Sequence, residues 1–260
     1  MALLEVRDVI VRFGGVTAVA GVSFDVDERQ ICGLIGPNGA GKTTLFNVIS
    51  GIYKPTGGEV RFAGQTVTGL PRHRMVPLGL GRTFQNLALF RSMTVRENVL
   101  AGAHAQGSAG FLANALRLPA ARREEAAAED RARSLLSLLD LEAVAEVPVA
   151  ALPFGTQKRV EMARALISRP KLLLLDEPAG GLNHGEVDGL ATLLRDIRRQ
   201  FDLSILLVEH HMSLVMRVSD KVVALDFGRK IADGTPDEVR ADPEVIRAYL
   251  GADAEPAHAA

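Results

Sequence analysis

The sequence predicts an α/β fold with a mostly parallel sheet, a small antiparallel β subdomain and an inserted helical subdomain. Apolar runs at 171–178 and 203–210 lack alternation, which is typical of parallel strands that helices cover on both faces. Apolar residues at helical spacing across 187–197 predict a helix that joins these strands. A stretch between about 101 and 151 is rich in Ala, Leu, Arg and Glu, which are strong helix formers, and it predicts the insertion.

The two ends of the chain complete this outline. Residues 4–11 and 22–28 alternate between apolar and polar side chains, as half-buried strands do, and they predict the antiparallel sheet. Residues 235–238 have capping-box spacing with proline at the first helical position, and 242–243 repeat the pattern of a cap followed by proline. We therefore expect two short helices in the tail, the second ending at Gly251.

Composition and charge exclude several classes of protein. With 30 Lys and Arg against 31 Asp and Glu the net charge is -1, which argues against nucleic acid as a partner. The single cysteine, Cys32, cannot form an intrachain disulfide or a multi-cysteine metal site, so a reducing compartment is expected. No apolar run approaches the roughly 20 residues that span a bilayer. Glu5, Arg7 and Asp8 interrupt the N-terminus where a signal peptide is apolar, and we expect a cytoplasmic protein.

A glycine-rich loop lies between an apolar strand and a helix. GPNGAGKTT at 36–44 fits the pattern G-x-x-x-x-G-K-[ST], which predicts a P-loop core. Such a loop wraps backbone N–H groups around a phosphate chain at a helix N-terminus. Lys42 is expected to reach the β- and γ-phosphates, the Thr43 hydroxyl to bind Mg²⁺, and Thr44 to lie on the α-phosphate side. The expected nucleotide-binding residues of the loop are Gly36, Pro37, Asn38, Gly39, Ala40, Gly41, Lys42, Thr43 and Thr44.

Two carboxylates follow a buried strand further along the chain. In LLLLDEP, Asp176 ends the strand, where it can hold the Mg²⁺ shell, and Glu177 comes directly after it. Glu177 is therefore the candidate general base that polarises an attacking water. Taken alone, the pair also fits two solvated carboxylates at a strand end. Together with the phosphate loop it predicts a hydrolytic site.

Five segments, in this order, resemble the ATP-binding cassette of ABC transporters over nearly the whole chain: GPNGAGKTT, RTFQN, LPFGTQKRVEMARAL, LLLLDEP and VEHH. The resemblance implies a P-loop ATPase with ATP and Mg²⁺ as cofactors. It also implies that Phe13 stacks on adenine and that His210 contacts the γ-phosphate. Gln85 is expected to contact Mg²⁺ and the attacking water and to sense the membrane subunit. Without the resemblance, Phe13 fits a core or edge-strand aromatic nearly as well.

The signature segment departs from the family pattern. Where LSGGQ is usual, this chain has Leu152, Pro153, Phe154, Gly155 and Thr156. Pro153 replaces the serine whose hydroxyl, in the family, donates to the ATP held by the opposite subunit. Gly155 and the N–H groups after it remain, so attraction for an anion persists. Asn183 replaces the family's aspartate after the acidic pair and is expected to hydrogen-bond across the dimer interface without charge.

We expect a single domain over residues 1–260. Its nucleotide-binding core, including the antiparallel β subdomain, is expected at 1–90 and 158–235. The helical subdomain with the signature is expected at 91–157, and a C-terminal helical tail at 236–260.

Three features resemble the cassettes of branched-chain amino acid importers: GRTFQN, VEHHM and the tail segment 225–251. The resemblance implies the ATPase of an importer, peripheral on the inner face of the cell membrane. One phosphate loop and no membrane span imply a second cassette, identical or different, and two integral membrane permease subunits. The resemblance also implies a periplasmic or extracellular binding protein that acts through the complex. The alternatives are the cassette of a lipopolysaccharide-type exporter, which shares much of the pattern, and a non-transport ABC ATPase.

Overall fold

The computed structural model describes residues 1–84, 87–106 and 119–252. Its strands are β1 (Ala2–Phe13), β2 (Val16–Asp27), β3 (Ile31–Ile35), β4 (Gly57–Phe62), β5 (Gln65–Thr66), β6 (Leu80–Arg82), β7 (Leu172–Asp176), β8 (Ser204–Val208), β9 (Lys221–Asp226) and β10 (Arg229–Gly234). Its α-helices are α1 (Lys42–Ile49), α2 (Met75–Leu78), α3 (Val95–Ala101), α4 (Pro119–Leu138), α5 (Phe154–Leu166), α6 (His184–Phe201), α7 (Met212–Val218), α8 (Pro236–Ala241) and α9 (Pro243–Ala252).

The larger sheet has the strand order β10-β9-β3-β8-β7-β6. Every neighbouring pair in it is parallel except β10 and β9, so the prediction of a mostly parallel sheet is confirmed. The carboxyl ends of parallel strands meet at one edge of a sheet. This brings together the segments that follow β3, β7 and β8: the glycine-rich loop, the acidic pair and the histidine pair.

Both faces of this sheet are buried. Leu173 and Leu175 of β7 pack into a core formed with α5 and α6, whereas Leu172 and Leu174 pack into a core shared with α1 and the antiparallel sheet. All five residues of β7 are buried. A strand with an apolar layer on each face has apolar side chains on both faces and not on alternate positions only. This explains the continuous apolar runs in the sequence.

The smaller sheet is antiparallel, as predicted, with the order β2-β1-β4-β5. Its first two strands extend beyond the alternating segments of the sequence. The register of β1 shifts near Asp8, which adopts φ 46°. Gly58 of β4 packs there so closely that a Cβ would lie 2.2 Å from the Asp8 carbonyl oxygen.

Helices occupy much of the described part of the insertion and of the tail, as predicted. Leu135 and Leu136 anchor α4 in the core that also contains α5. The loop predicted at the start of the insertion falls partly on 107–118, outside the described residues. In the tail, Thr235 and Glu238 form the expected capping box, and α9 runs one residue past Gly251. Within the described ranges, no helix is long and apolar enough to cross a bilayer.

Candidate nucleotide site

The glycine-rich loop connects the buried strand β3 to the first turn of α1. Gly36, Gly39 and Gly41 all have positive φ, at 150°, 79° and 97°. At Gly36 a Cβ would lie 2.2 Å from the Leu225 carbonyl oxygen, and at Gly41 it would lie 2.5 Å from the Ala18 carbonyl oxygen. At these two positions the backbone therefore runs where no side chain fits, which only glycine allows.

Lys42 is folded back onto this loop. Its Nζ donates to the carbonyl oxygens of Gly36 at 2.7 Å and Pro37 at 2.8 Å. Burial lowers the pKa of the Lys42 ammonium, and the charge of Glu177 opposes that change. The ammonium thus lies inside the loop, the position from which it would meet a phosphate chain held by the N–H groups.

The loop, Glu177 and His210 line one cleft. The residues around it are Ala18, Asn38, Gly39, Ala40, Gly41, Lys42, Thr43, Thr44, Glu177 and His210. Three segments that are far apart in sequence therefore meet as the fold requires. A triphosphate lying on the loop would have a carboxylate and an imidazole at the same cleft.

Asp176 is the last residue of β7, directly before Glu177 of the cleft. Its Oδ2 accepts a hydrogen bond from Arg82 Nη2 at 3.1 Å, and the two side chains are 3% and 9% exposed. Burial raises the pKa of Asp176, and the Arg82 guanidinium opposes that rise. Oδ1 is buried and has no hydrogen-bond partner among the described residues. A buried carboxylate oxygen without a donor fits a hard divalent cation such as Mg²⁺.

Arg82 links several parts of the site, and sequence reasoning did not single it out. It donates to Ser50 Oγ at the end of α1. Its guanidinium also lies 5.0 Å from the ring centroid of Phe46 and 5.1 Å from that of Phe84. Its position in RTFQN was visible in the sequence, but only Gln85 was taken from that segment. Gln85 itself lies outside the described residues.

Glu177 and His210 are in direct contact. Glu177 Oε1 lies 2.6 Å from His210 Nε2, and the side chains are 20% and 43% exposed. The backbone of Glu177 adopts φ 50°, a region that is strained for a residue with a Cβ. Its N–H donates to the Val208 carbonyl oxygen at 2.9 Å, and its own carbonyl oxygen accepts from Lys158 Nζ at 2.6 Å. The strained residue is therefore held at both peptide groups.

Glu209 organises the loops on either side of the cleft. It is 1% exposed and accepts hydrogen bonds from the backbone N–H groups of Ala179 at 2.6 Å and His210 at 3.0 Å. Glu209 belongs to the VEHH segment, but sequence reasoning assigned a role only to the histidine after it. The signal available was a carboxylate directly at the end of a buried strand.

The signature segment lies away from the cleft within this chain. Pro153 occupies the N-cap position of α5, with an extended backbone at ψ 150°. Phe154 is 48% exposed, and Lys158 Nζ lies 5.3 Å from its ring centroid. None of Leu152, Pro153, Phe154, Gly155 and Thr156, all of which the structure describes, lines the cleft.

Asn183 caps a helix. Its Oδ1 accepts from the Glu186 N–H at 3.0 Å, and Glu186 Oε2 accepts from the Asn183 N–H at 2.8 Å. This capping box begins α6. Asn183 thus has a role within its own chain, independent of the dimer contact expected from the sequence.

Phe13 lies at the end of β1 and is 49% exposed. Its ring meets that of Tyr53 edge to face, with the centroids 5.4 Å apart. Phe13 is therefore not a core aromatic, and the alternative of an edge-strand aromatic stays a prediction. The exposed ring offers surface on which a planar base can stack.

Comparisons with known proteins give the same architecture. A family model described as "ABC transporter" matches residues 19–180, and a second, described as "Branched-chain amino acid ATP-binding cassette transporter", matches residues 229–255. The chain is 45% identical to the high-affinity branched-chain amino acid transport ATP-binding protein BraF of Pseudomonas aeruginosa over 96% of this chain and 98% of BraF. It is also 45% identical to the corresponding protein LivG of Salmonella typhimurium, with the same coverage.

Among solved structures, the ADP conformation of MJ1267, an ATP-binding cassette of an ABC transporter, matches with a TM-score of 0.82. It is 30% identical, and the match covers 96% of this chain and 99% of that one. The family model covers more than half of the chain, and the curated relatives match it along nearly their whole length. The family and fold predictions are thereby confirmed: the chain belongs to the ABC transporter family and is one of its ATP-hydrolysing cassettes.

Proposed function

We propose that this cassette drives the import of branched-chain amino acids across the inner membrane. The observation that carries the proposal is the 45% identity to BraF over 96% of this chain. The separate match of the tail, at residues 229–255, to a model of branched-chain amino acid cassettes supports it independently of the catalytic motifs. A lipopolysaccharide-type exporter cassette and a non-transport ATPase remain as outcomes of the test.

In the proposed site, the loop at 36–44 holds the phosphates of ATP through its backbone N–H groups, with Lys42 at the β- and γ-phosphates. Thr43, Asp176 and Gln85 would hold Mg²⁺, and the unpartnered Oδ1 of Asp176 supports this role. The ion would supply charge neutralisation at the phosphates. The half-exposed ring of Phe13 would stack on adenine.

Glu177 is proposed to take the proton from the attacking water. The contact of 2.6 Å with His210 supports a joint role, since the imidazole fixes the direction of the carboxylate. The same imidazole is proposed to contact the γ-phosphate. The hydrogen-bonded backbone of Glu177 keeps the carboxylate and the imidazole at the cleft while ATP is hydrolysed.

Two cassettes are proposed to meet head to tail, with each signature completing the site of the other chain. The position of the signature outside the cleft supports this arrangement, since the segment does not reach the nucleotide site of its own chain. Asn183 is proposed to contact the second cassette in addition to capping α6.

The permease subunits are proposed to dock near the segment that carries Gln85. Phe84, Phe90 and Met93 are 39%, 53% and 39% exposed, and they place apolar surface on both sides of that segment. Exposed apolar side chains in one region are typical of a protein interface. Docking there would hold the chain as a cytoplasmic subunit on the inner face of the membrane.

The experiment is reconstitution of the cassette with its permease subunits and binding protein in lipid vesicles. We expect ATP hydrolysis to rise when the binding protein carries leucine, isoleucine or valine, and labelled leucine to move across the bilayer. The Glu177→Gln cassette is the matched control, since it retains the complex but lacks the base. Stimulation by lipopolysaccharide, or no stimulation by any branched-chain amino acid, would reject the import proposal.

A further inference from the structure

The C-terminal helix α9 reaches the phosphate loop through one side chain. Val245 is 3% exposed, and Tyr249, one turn later, packs partly buried against the same core. On the other face of the helix, Ile246 and Leu250 are 45% and 66% exposed. Val245 and Tyr249 therefore define the inner face of α9, and Tyr249 is its member nearest the loop.

The Tyr249 hydroxyl is bonded to the first residue of the loop. The Gly36 N–H donates to Tyr249 Oη at 2.8 Å. Gly36 itself is buried, and a Cβ there would lie 2.2 Å from the Leu225 carbonyl oxygen, so the fold packs closely around this residue. Burial raises the pKa of the Tyr249 phenol, which therefore stays neutral in any ordinary assay.

Gly36 is also bonded to Lys42. Its carbonyl oxygen accepts from Lys42 Nζ at 2.7 Å. Gly36 is thus hydrogen-bonded to the tail helix through its N–H and to Lys42 through its C=O. A shift of the Gly36 backbone would therefore move one of the two carbonyl oxygens that hold the Lys42 ammonium, the other being that of Pro37.

We propose that Tyr249 is a positioning residue for nucleotide binding: its hydroxyl fixes Gly36, and through Gly36 it holds Lys42 ready for the phosphates. The inference rests on the proposed assignment of the loop to the phosphates of ATP. It gives the tail at 243–252 a role in the nucleotide site of its own chain.

Without the hydroxyl, a buried N–H donor loses its partner, and such groups are costly. The loop of the nucleotide-free protein relaxes to let water reach Gly36, and nucleotide must then restore the original geometry. Part of the free energy of the lost hydrogen bond therefore appears as weaker binding of nucleotide.

The test compares Tyr249→Phe with Leu250→Ala on the full chain. Phenylalanine keeps the ring and its packing, and Leu250→Ala changes the same helix at an exposed position. We expect Tyr249→Phe to raise the Kd for ATP by about threefold to tenfold, and Leu250→Ala to leave it unchanged. The melting temperature of nucleotide-free Tyr249→Phe should fall only modestly, because water reaches the Gly36 N–H in the relaxed loop. The peptide that contains Gly36 should also exchange its amide hydrogens faster in Tyr249→Phe.

An unchanged Kd in Tyr249→Phe, or an equal rise in Leu250→Ala, overturns the inference. A Tyr249→Phe protein that lost stability but bound ATP normally would show a purely structural tyrosine and would also overturn it. Lys42→Ala in the same titration separates the two proposals. If Lys42→Ala loses ATP binding and Tyr249→Phe does not, only the role of Tyr249 fails; if Lys42→Ala binds normally, the loop assignment fails.

Discussion

Arg82→Met removes the positive charge that faces Asp176 inside the protein. The two groups are 3.1 Å apart, and both side chains are at least nine-tenths buried. Removing one partner of such a pair leaves an uncompensated buried charge, which costs about 3–5 kcal/mol. The contacts of the guanidinium with the rings of Phe46 and Phe84 add about 0.5–2 kcal/mol, of which methionine recovers part by packing. We expect the free energy of unfolding to fall by about 3–6 kcal/mol in total.

A double-mutant cycle with Asp176→Asn isolates the pair. Asparagine keeps the shape of the aspartate without its charge, so Arg82→Met should cost less in that background, by about 1.5–3 kcal/mol. Urea unfolding followed by far-UV circular dichroism suits a chain that contains no tryptophan. Arg240→Met is the matched control, because Arg240 and Asp237 are 71% and 91% exposed and their pair should contribute less than about 1 kcal/mol. Additive effects of the two core substitutions, within about 0.5 kcal/mol, would refute the reasoning.

Four other predictions concern the site and the thiol. Glu177→Gln should keep ATP binding, abolish turnover and accumulate ATP-dependent dimers; hydrolysis near the wild-type rate would remove Glu177 from the role of base. Lys42→Ala should weaken binding of a fluorescent ATP analogue, and unchanged affinity would contradict the assignment of the phosphate loop. Pro153→Ser should raise hydrolysis by the isolated cassette, by about a hundredfold or more, because a donor worth about 2.7–4 kcal/mol is restored. No change there, combined with loss of activity in Thr156→Ala, would show that the threonine supplies that donor. Burial raises the pKa of the Cys32 thiol to about 12, so a disulfide reagent at pH 8 should modify Cys32 only in urea; rapid reaction of the folded protein would contradict its burial.

Local chemistry explains what the sequence could predict. The glycine loop was readable because its function requires a fixed order of residues within nine positions, between a strand and a helix. The buried strands were readable because β7 and β8 are buried at every residue, which leaves continuous apolar runs. The capping box of α8 was readable because its two partners lie within one turn.

Contacts between distant segments explain what the sequence could not predict. Glu177 and His210 are 33 residues apart, and Arg82 and Asp176 are 94 residues apart. Residue type alone does not say which cation meets which carboxylate when several neighbouring strands offer both. The roles of the individual site residues and the subdomain boundaries stay predictions, and Gln85 lies outside the described residues.

The bond from Lys158 to the carbonyl oxygen of Glu177 has a mechanical consequence. It fastens α5, the helix that begins within the signature, to the backbone of the proposed base, over a distance of 2.6 Å. A charged donor of this kind contributes about 1.5–3 kcal/mol. If α5 moves relative to β7, either the backbone of Glu177 moves with it or the Lys158 hydrogen bond breaks. While the Lys158 hydrogen bond is intact, displacement of α5 and realignment of the Glu177 carboxylate are coupled into a single motion.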